Sequence, residues 1–469
     1  MRQTSFALAL LAAAALAGCG GGGGGDQTPK VKFNSQVSFG DSLSDIGTYA
    51  VGGVKALGGG KYTVNDVGAD GKNAAKNWTE LMAAQFDLPA PCSAETGLLS
   101  NGLLASFAAA ISFVPACTSY AQGGARVTEQ VGPANMNYRD AHTSSQLGQL
   151  TVPVTTQISN HLAKAGGKFK GDEIVFVMAG GNDLLFQANQ LQLDATAAGT
   201  ATGTVTFAHA LVGALAAGAT DPITAAQAIG LAMATESARP GHTDQTVVGA
   251  AVGAAAIQPG NAAVANPAVY GPMVANAQAA AATAGATAGA AYASDPANLA
   301  LYVKAMADAG DQLSALVKNQ IVANGAQYVT VLNLPDASQT PYGLAQSVAV
   351  QKWLASMVSA FNSHLEVGLA GQPKVLQVDA YWVDHDQASN PGPYGLTNVT
   401  TPACADVDAD NPLSSVKNPL HSSLTCNKTN LVAGANENYK FADSVHPTPF
   451  TNLLLARYVS RSMEIKGWL

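Results

Sequence analysis

Charge is sparse in this chain of 469 residues, at 12%, and basic charge is the rarer kind: 23 Lys and Arg stand against 31 Asp and Glu, a formal net charge of −8. A nucleic-acid binder needs a basic face to displace counterions from phosphates. Electrostatic docking on anionic lipid needs a polybasic patch. The composition excludes both. A membrane-spanning helix needs about twenty apolar residues in a row, and no segment reads as one. Cysteine is rare, with 5 in all, and no spacing among them has the form of a zinc site. What is abundant is alanine and glycine: hydrophobic content is 48%, much of it Ala, and there are 48 glycines. Both suit helices packed closely, loops, or low-complexity filler.

The N-terminus reads as an address. Met1-Arg2 gives a positive start, Phe6 to Leu16 is a short run of Ala and Leu, and Leu16-Ala17-Gly18-Cys19 follows. A run this short is the core of a signal peptide. Its ending resembles the bacterial lipobox, in which the cysteine is acylated and becomes the first residue. Residues 1–18 are then a lipoprotein signal peptide, Cys19 the lipidation site and 19–34 a glycine-rich tether, with acyl chains on Cys19 as the membrane anchor. Plain signal cleavage, with Cys19 an incidental thiol, is the alternative. The expected location is the cell envelope, at the outer membrane, or secreted. Setting Cys19 aside leaves four, Cys92, Cys117, Cys404 and Cys426. An even set in an exported chain reads as disulfides. Three connectivities are open, and loop closure favours Cys92–Cys117 with Cys404–Cys426.

Strand and helix patterns alternate along residues 35–469. Val37-Ser38-Phe39 runs into the turn Gly40-Asp41-Ser42, and Ile174 to Ala179 is a continuous apolar run of the kind buried on both faces of a sheet. Tyr328 to Leu334 and Val375 to Val378 are further strands. Helices are expected from Pro296, across Leu354 to Leu365, and from Leu453. Buried strands alternating with helices imply an α/β fold with a parallel sheet covered on both faces. The stretch 196–293 breaks the rhythm with Ala, Gly, Thr and Val and almost no aromatics. It is too long for an ordinary loop. It reads as a mostly helical insertion, with disorder as the alternative, and is expected to border the active site as a cover over acyl chains.

Chemistry enters with Gly40-Asp41-Ser42-Leu43-Ser44-Asp45. A serine on a tight turn after a central strand sits at the carboxyl end of the sheet, where open α/β folds bind ligands. A surface turn would use the same residues. Asp443-Ser444-Val445-His446-Pro447-Thr448 can supply a base and the carboxylate that fixes its tautomer; it can also cap the last helix. Asn182, after the buried strand, can donate to an oxyanion or merely turn the chain. Gly123-Gly124 offers a backbone N–H with no side chain in the way, or a simple bend. Asp384-His385-Asp386 could bind a cation, but reads as a solvated loop ahead of Asn390-Pro391-Gly392-Pro393. His142, His161, His209, His242, His364 and His421 show no partner pattern and read mostly as surface residues.

The order of these elements is informative. Phe39 to Gly47 (FGDSLSDIG), Tyr120 to Ala125 (YAQGGA), Gly181 to Asp183 (GND) and Asp443 to Thr448 (DSVHPT) resemble the four sequence blocks of the GDSL/SGNH hydrolase family. Asn333 to Asp336 (NLPD) and Tyr394 to Asn398 (YGLTN) resemble it too, so the likeness spans about residues 35–465 apart from the insertion. It implies a three-layer α/β/α sandwich around a mainly parallel sheet of about five strands. It further implies Ser42 as nucleophile, His446 as base, Asp443 as the orienting acid, and an oxyanion hole of the Ser42 N–H, the Gly124 N–H (with Gly123 in reserve) and the Asn182 side chain. The activity implied is hydrolysis of carboxylic esters, lipids among them, through an acyl-enzyme, with no cofactor and no metal. Deacetylation of envelope sugars, acyl transfer, or ligand binding without catalysis are the rival readings. No Gly-x-Ser-x-Gly surrounds Ser42, so the α/β-hydrolase elbow is not indicated.

Overall fold

The computed structural model describes residues 31–65, 75–100, 102–133, 135, 147–405 and 422–469. Cys19, the signal peptide, most of the tether, His142 and His421 lie outside them. In chain order the strands are β1 (Ser35–Gly40), β2 (Glu95–Ser100), β3 (Ala109–Phe113), β4 (Leu147–Gly148), β5 (Glu173–Met178), β6 (Tyr328–Leu332) and β7 (Val375–Val378). Helices of eight residues or more are α1 (Trp78–Gln85), α2 (Val154–Lys164), α3 (Gly181–Ala216), α4 (Pro222–Ser237), α5 (Asp244–Ala256), α6 (Pro267–Ser294), α7 (Pro296–Leu316), α8 (Val348–Leu369), α9 (Ala380–Ser389) and α10 (Pro449–Lys466). The chain divides into two compact units, residues 189–300 and the remainder.

The larger unit is α/β. β1, β5, β6 and β7 lie side by side in that order and all run parallel, a sheet of four strands among the described residues where the family likeness implies about five. β5 is buried at every position. Since side chains alternate faces along a strand, both faces of the sheet are covered. On one, Ile174, Phe176 and Met178 meet Trp78 and Met82 of α1 and Val459 and Met463 of α10. Burying such side chains stabilises the fold by about 1.5–3 kcal/mol each. A separate antiparallel sheet, ordered β3-β2-β4, was not legible in the sequence. The reason is visible in β3, whose Ile111 and Phe113 are exposed, 43% and 67%, so the strand carries no buried apolar stripe.

Two disulfides close local loops, Cys92–Cys117 and Cys404–Cys426, the pairing that loop closure favours. Among the described residues no helix is long and apolar enough to cross a membrane.

All the regular structure of the smaller unit is helical: most of α3, α4, α5 and α6, and the first residues of α7. Leu211, Leu215, Ile229, Met233, Ala251 and Ala277 form its own core. Its glycines allow backbone contact between helices: a Cβ on Gly199 would fall 2.7 Å from the Gly285 carbonyl oxygen, and one on Gly285 would fall 2.9 Å from that of Gly199. That accounts for a composition that looks like filler in the sequence.

Candidate active site

Parallel strands bring their carboxyl ends to one side. Gly40 at the end of β1 pairs with Met178 at the end of β5, so Asp41-Ser42 and Gly180-Gly181-Asn182 leave the sheet side by side. The crossing is tight. Gly40 has φ +146° and a Cβ there would lie 2.0 Å from the Met178 carbonyl oxygen, which only glycine accommodates. Gln157 on α2 clamps it, accepting from the Gly40 N–H and donating to the Gly40 carbonyl, each at 2.8 Å.

Ser42 meets a residue 404 positions away. Its Oγ is 2.8 Å from His446 Nε2, and His446 Nδ1 is 2.7 Å from Asp443 Oδ2. A carboxylate only accepts, so Nδ1 carries the proton and the Nε2 lone pair faces the serine hydroxyl. Asp443 Oδ1 accepts the N–H groups of Val445 at 2.9 Å and His446 at 2.7 Å, and Oδ2 also accepts that of Ser423 at 3.3 Å. Burial alone would raise the Asp443 carboxyl. The His446 ring and these hydrogen bonds outweigh it and hold the group well below the usual carboxylate range. The cap reading of the same segment holds as well: Thr448 Oγ1 accepts the Thr451 N–H at 3.3 Å at the start of α10.

Gly124 lies beside this chain. With φ +80° and a Cβ position 2.6 Å from Thr151 Cγ2, it has to be glycine. Gly123 is constrained differently, by the Tyr62 ring, which would sit 2.3 Å from its Cβ. The Gly123 N–H donates to Asp45 Oδ2 at 2.9 Å. The N–H groups of Ser42 and Gly124 have no hydrogen-bond partner among the described residues. Asn182 is buried at the start of α3 and gives one amide hydrogen to the Ala125 carbonyl at 2.9 Å; an amide has two. Ser42, Gly124, Asn182 and His446 all line one cavity of about 220 Å³.

Four residues here escaped the sequence reading: Asp45, Tyr49, Tyr62 and Gln157. Asp45 and Tyr49 stand inside or next to the block FGDSLSDIG, yet their partners lie in another block. Tyr62 packs on the His446 ring, centroids 4.7 Å apart, and nothing in the sequence marks it. Of the histidines read as surface residues, His161 is a correction: it is 4% exposed among Phe39, Tyr120 and Phe169. Burial, with Lys164 and Lys170 nearby, lowers it to about 4, so it is neutral. The second correction concerns Asp384-His385-Asp386, which lies in α9 and not in a loop. The proline-glycine signal acts only from Asn390 on, and Asp379 caps the helix by accepting the Trp382 N–H. Each of the three is engaged elsewhere: Asp384 with Lys440 at 2.9 Å, His385 with Asp336 at 2.7 Å, Asp386 with the Tyr394 hydroxyl at 2.6 Å. Among the described residues no cluster of three or more His, Cys, Asp or Glu is placed to hold a metal.

Asp41, under the serine turn, accepts the Leu43 N–H at 3.0 Å. Burial pushes its carboxyl from 3.8 up to about 7; Asp183 adds to this, while the Leu43 and Gly181 N–H groups and His446 oppose it. The folded chain thus holds this proton more tightly than the unfolded one. The resulting stability is full below about pH 4 and lost as pH rises through about 7. Asp41→Asn keeps an acceptor for Leu43 and does not titrate. Between about pH 5 and pH 8 it is expected to gain roughly 3 kcal/mol of unfolding free energy relative to the parent chain, two pH units at 1.36 kcal/mol each. Urea unfolding at both values measures it. A constant difference would mean that Asp41 ionises at its ordinary value.

No protein-family model matches this chain, and no curated protein matches it at a significant level. The class of site is therefore defined by its own geometry: a serine hydroxyl, an imidazole and a carboxylate in hydrogen-bonded series beside two free backbone N–H groups and an amide.

Proposed function

We propose that the chain is a serine hydrolase of the GDSL/SGNH type, on a three-layer α/β/α sandwich, that cleaves carboxylic esters through an acyl-enzyme. The observation that carries this reading is the series Ser42 Oγ–His446 Nε2–Asp443 Oδ2, at 2.8 and 2.7 Å, opening on a cavity shared with Gly124 and Asn182. Ser42 attacks the ester carbonyl as its proton passes to Nε2. The Ser42 and Gly124 N–H groups and the Asn182 amide hold the oxyanion. His446 returns the proton to the leaving alcohol, then takes one from the water that attacks the acyl carbon and passes it to Ser42 Oγ as the ester bond to the serine breaks and the acid leaves. No cofactor enters this sequence.

The cavity also bears on substrate. Leu43, Leu184, Leu185, Leu334 and Val358 wall it, no Lys, Arg or Glu among the described residues lines it, and at about 220 Å³ it is smaller than a drug-sized site. An uncharged, short apolar acyl group suits it. Hydrolysis of p-nitrophenyl acetate, butyrate and palmitate beside an acetylated sugar tests the reading. The short-chain esters are expected to turn over fastest. Preference for the acetylated sugar would make the protein a deacetylase, and no turnover of any would leave a binding protein. Export and acylation at Cys19 belong to the same proposal. The two disulfides suit an oxidising compartment, and mass spectrometry of the mature N-terminus tests the anchor.

A further inference from the structure

Gly123-Gly124 is the most pliable kind of dipeptide, since neither residue has a Cβ to restrict it. A donor aimed at an oxyanion has to be held in place before the reaction begins. What holds this one is traceable through peptide geometry. The Gly123 carbonyl and the Gly124 N–H are two ends of a single planar, trans unit and point in opposite directions; no peptide bond among the described residues is cis. Whatever fixes the carbonyl therefore aims the N–H.

The Tyr49 hydroxyl donates to the Gly123 carbonyl oxygen at 2.8 Å. No other donor reaches that oxygen among the described residues. Tyr49 is fully buried, and its hydroxyl also accepts the Thr151 N–H at 3.4 Å. The bonds thus run in series from Thr151 through the phenol to the Gly123 carbonyl, an arrangement in which each bond polarises the next and sharpens the donor at the far end. The preceding peptide unit is held from its own side, by the Gly123 N–H on Asp45. The Tyr49 ring meets Tyr62 edge-on, centroids 6.2 Å apart, and Tyr62 in turn packs on His446. One buried phenol thus touches the oxyanion peptide directly and the base through a single ring.

We infer that Tyr49 is a positioning residue of the oxyanion hole: its hydroxyl, by gripping the Gly123 carbonyl, aims the Gly124 N–H at the substrate oxygen above Ser42. This rests on the reading of the site as a serine hydrolase. The hydroxyl makes no contact with substrate and acts only through the peptide.

Tyr49→Phe removes the grip and keeps the ring. Its kcat on p-nitrophenyl butyrate is expected to fall about 10-fold with KM unchanged, a fraction of the 10²–10³ lost with a whole oxyanion donor. Affinity for a trifluoromethyl ketone, whose hemiketal adduct with serine mimics the oxyanion, should fall by the same factor. A structural role alone would leave that affinity equal to the parent's in the folded fraction. Site-specific 2,3,5-trifluorotyrosine at position 49 keeps ring and hydroxyl and changes the phenol as a donor, so it tests the same point should Tyr49→Phe fold poorly; kcat is expected to change at constant KM. Parent-like kcat and ketone affinity in both proteins would overturn the inference. Ser42→Ala, run alongside, separates the two levels. If it stays active, the hydrolase reading itself fails. If it is inactive while both Tyr49 proteins behave like the parent, only the role of Tyr49 fails.

Discussion

Ser42→Ala and His446→Ala are each expected to lower kcat by roughly 10⁴–10⁶-fold while the protein stays folded, because nucleophile and base act as a unit and either loss removes the covalent route. The double variant is expected to be little worse than either single one, for the same reason. The geometry makes the claim specific. His446 Nε2 has the Ser42 hydroxyl at 2.8 Å as its partner, and its other nitrogen is committed to Asp443 at 2.7 Å. Asp443→Asn should then lose about 10⁴-fold, because an amide in that place stabilises the wrong imidazole tautomer. Initial rates on p-nitrophenyl butyrate, with near-UV circular dichroism to verify folding, decide it. Parent-like esterase activity in Ser42→Ala would end the serine-hydrolase reading.

Asn182→Ala comes next in size, with kcat lower by roughly 10²–10³-fold and KM little changed, the cost of one lost oxyanion donor. One amide hydrogen anchors the side chain to the Ala125 carbonyl at 2.9 Å, which leaves the other for the substrate. The anchor ties Asn182 to the residue that follows Gly124, so the two donors are registered against each other. The substitution also strands the carbonyl of a fully buried residue, so a stability loss of about 1–3 kcal/mol should accompany it. The kinetic effect has to be read in the folded fraction. A change confined to KM would make Asn182 a residue that positions substrate.

The strands that carry the site were legible because each is an apolar run bounded by turn residues, as in Ile174 to Ala179 before Gly180-Gly181. The structure shifts that run by one residue, to Glu173–Met178, and matches Val375–Val378 fully. Asp443 and His446 were legible because they lie three positions apart, so one loop sets their geometry. The disulfide pairing was legible as loop entropy. The antiparallel sheet was not, since its strands are short and half exposed, and the buried His161 was not, since a single histidine beside Asn160 does not show which of its neighbours in space will cover it.

By itself, then, the sequence determined the α/β class, the carboxyl ends at which chemistry is possible, and the residue types gathered there. Each of these is encoded within a few adjacent positions, by hydrophobic period or by turn chemistry. Only the tertiary structure decided which of two adjacent glycines has a free N–H. Asp45, 78 residues from Gly123, takes the one, and the other is left without an acceptor among the described residues. Only the tertiary structure, too, placed Tyr49 on the Gly123 carbonyl across 74 residues and Gln157 on Gly40 across 117. Such contacts depend on sheet register and helix docking, which bring distant segments to within 3 Å, and no local pattern of residues specifies a separation that small between positions so far apart.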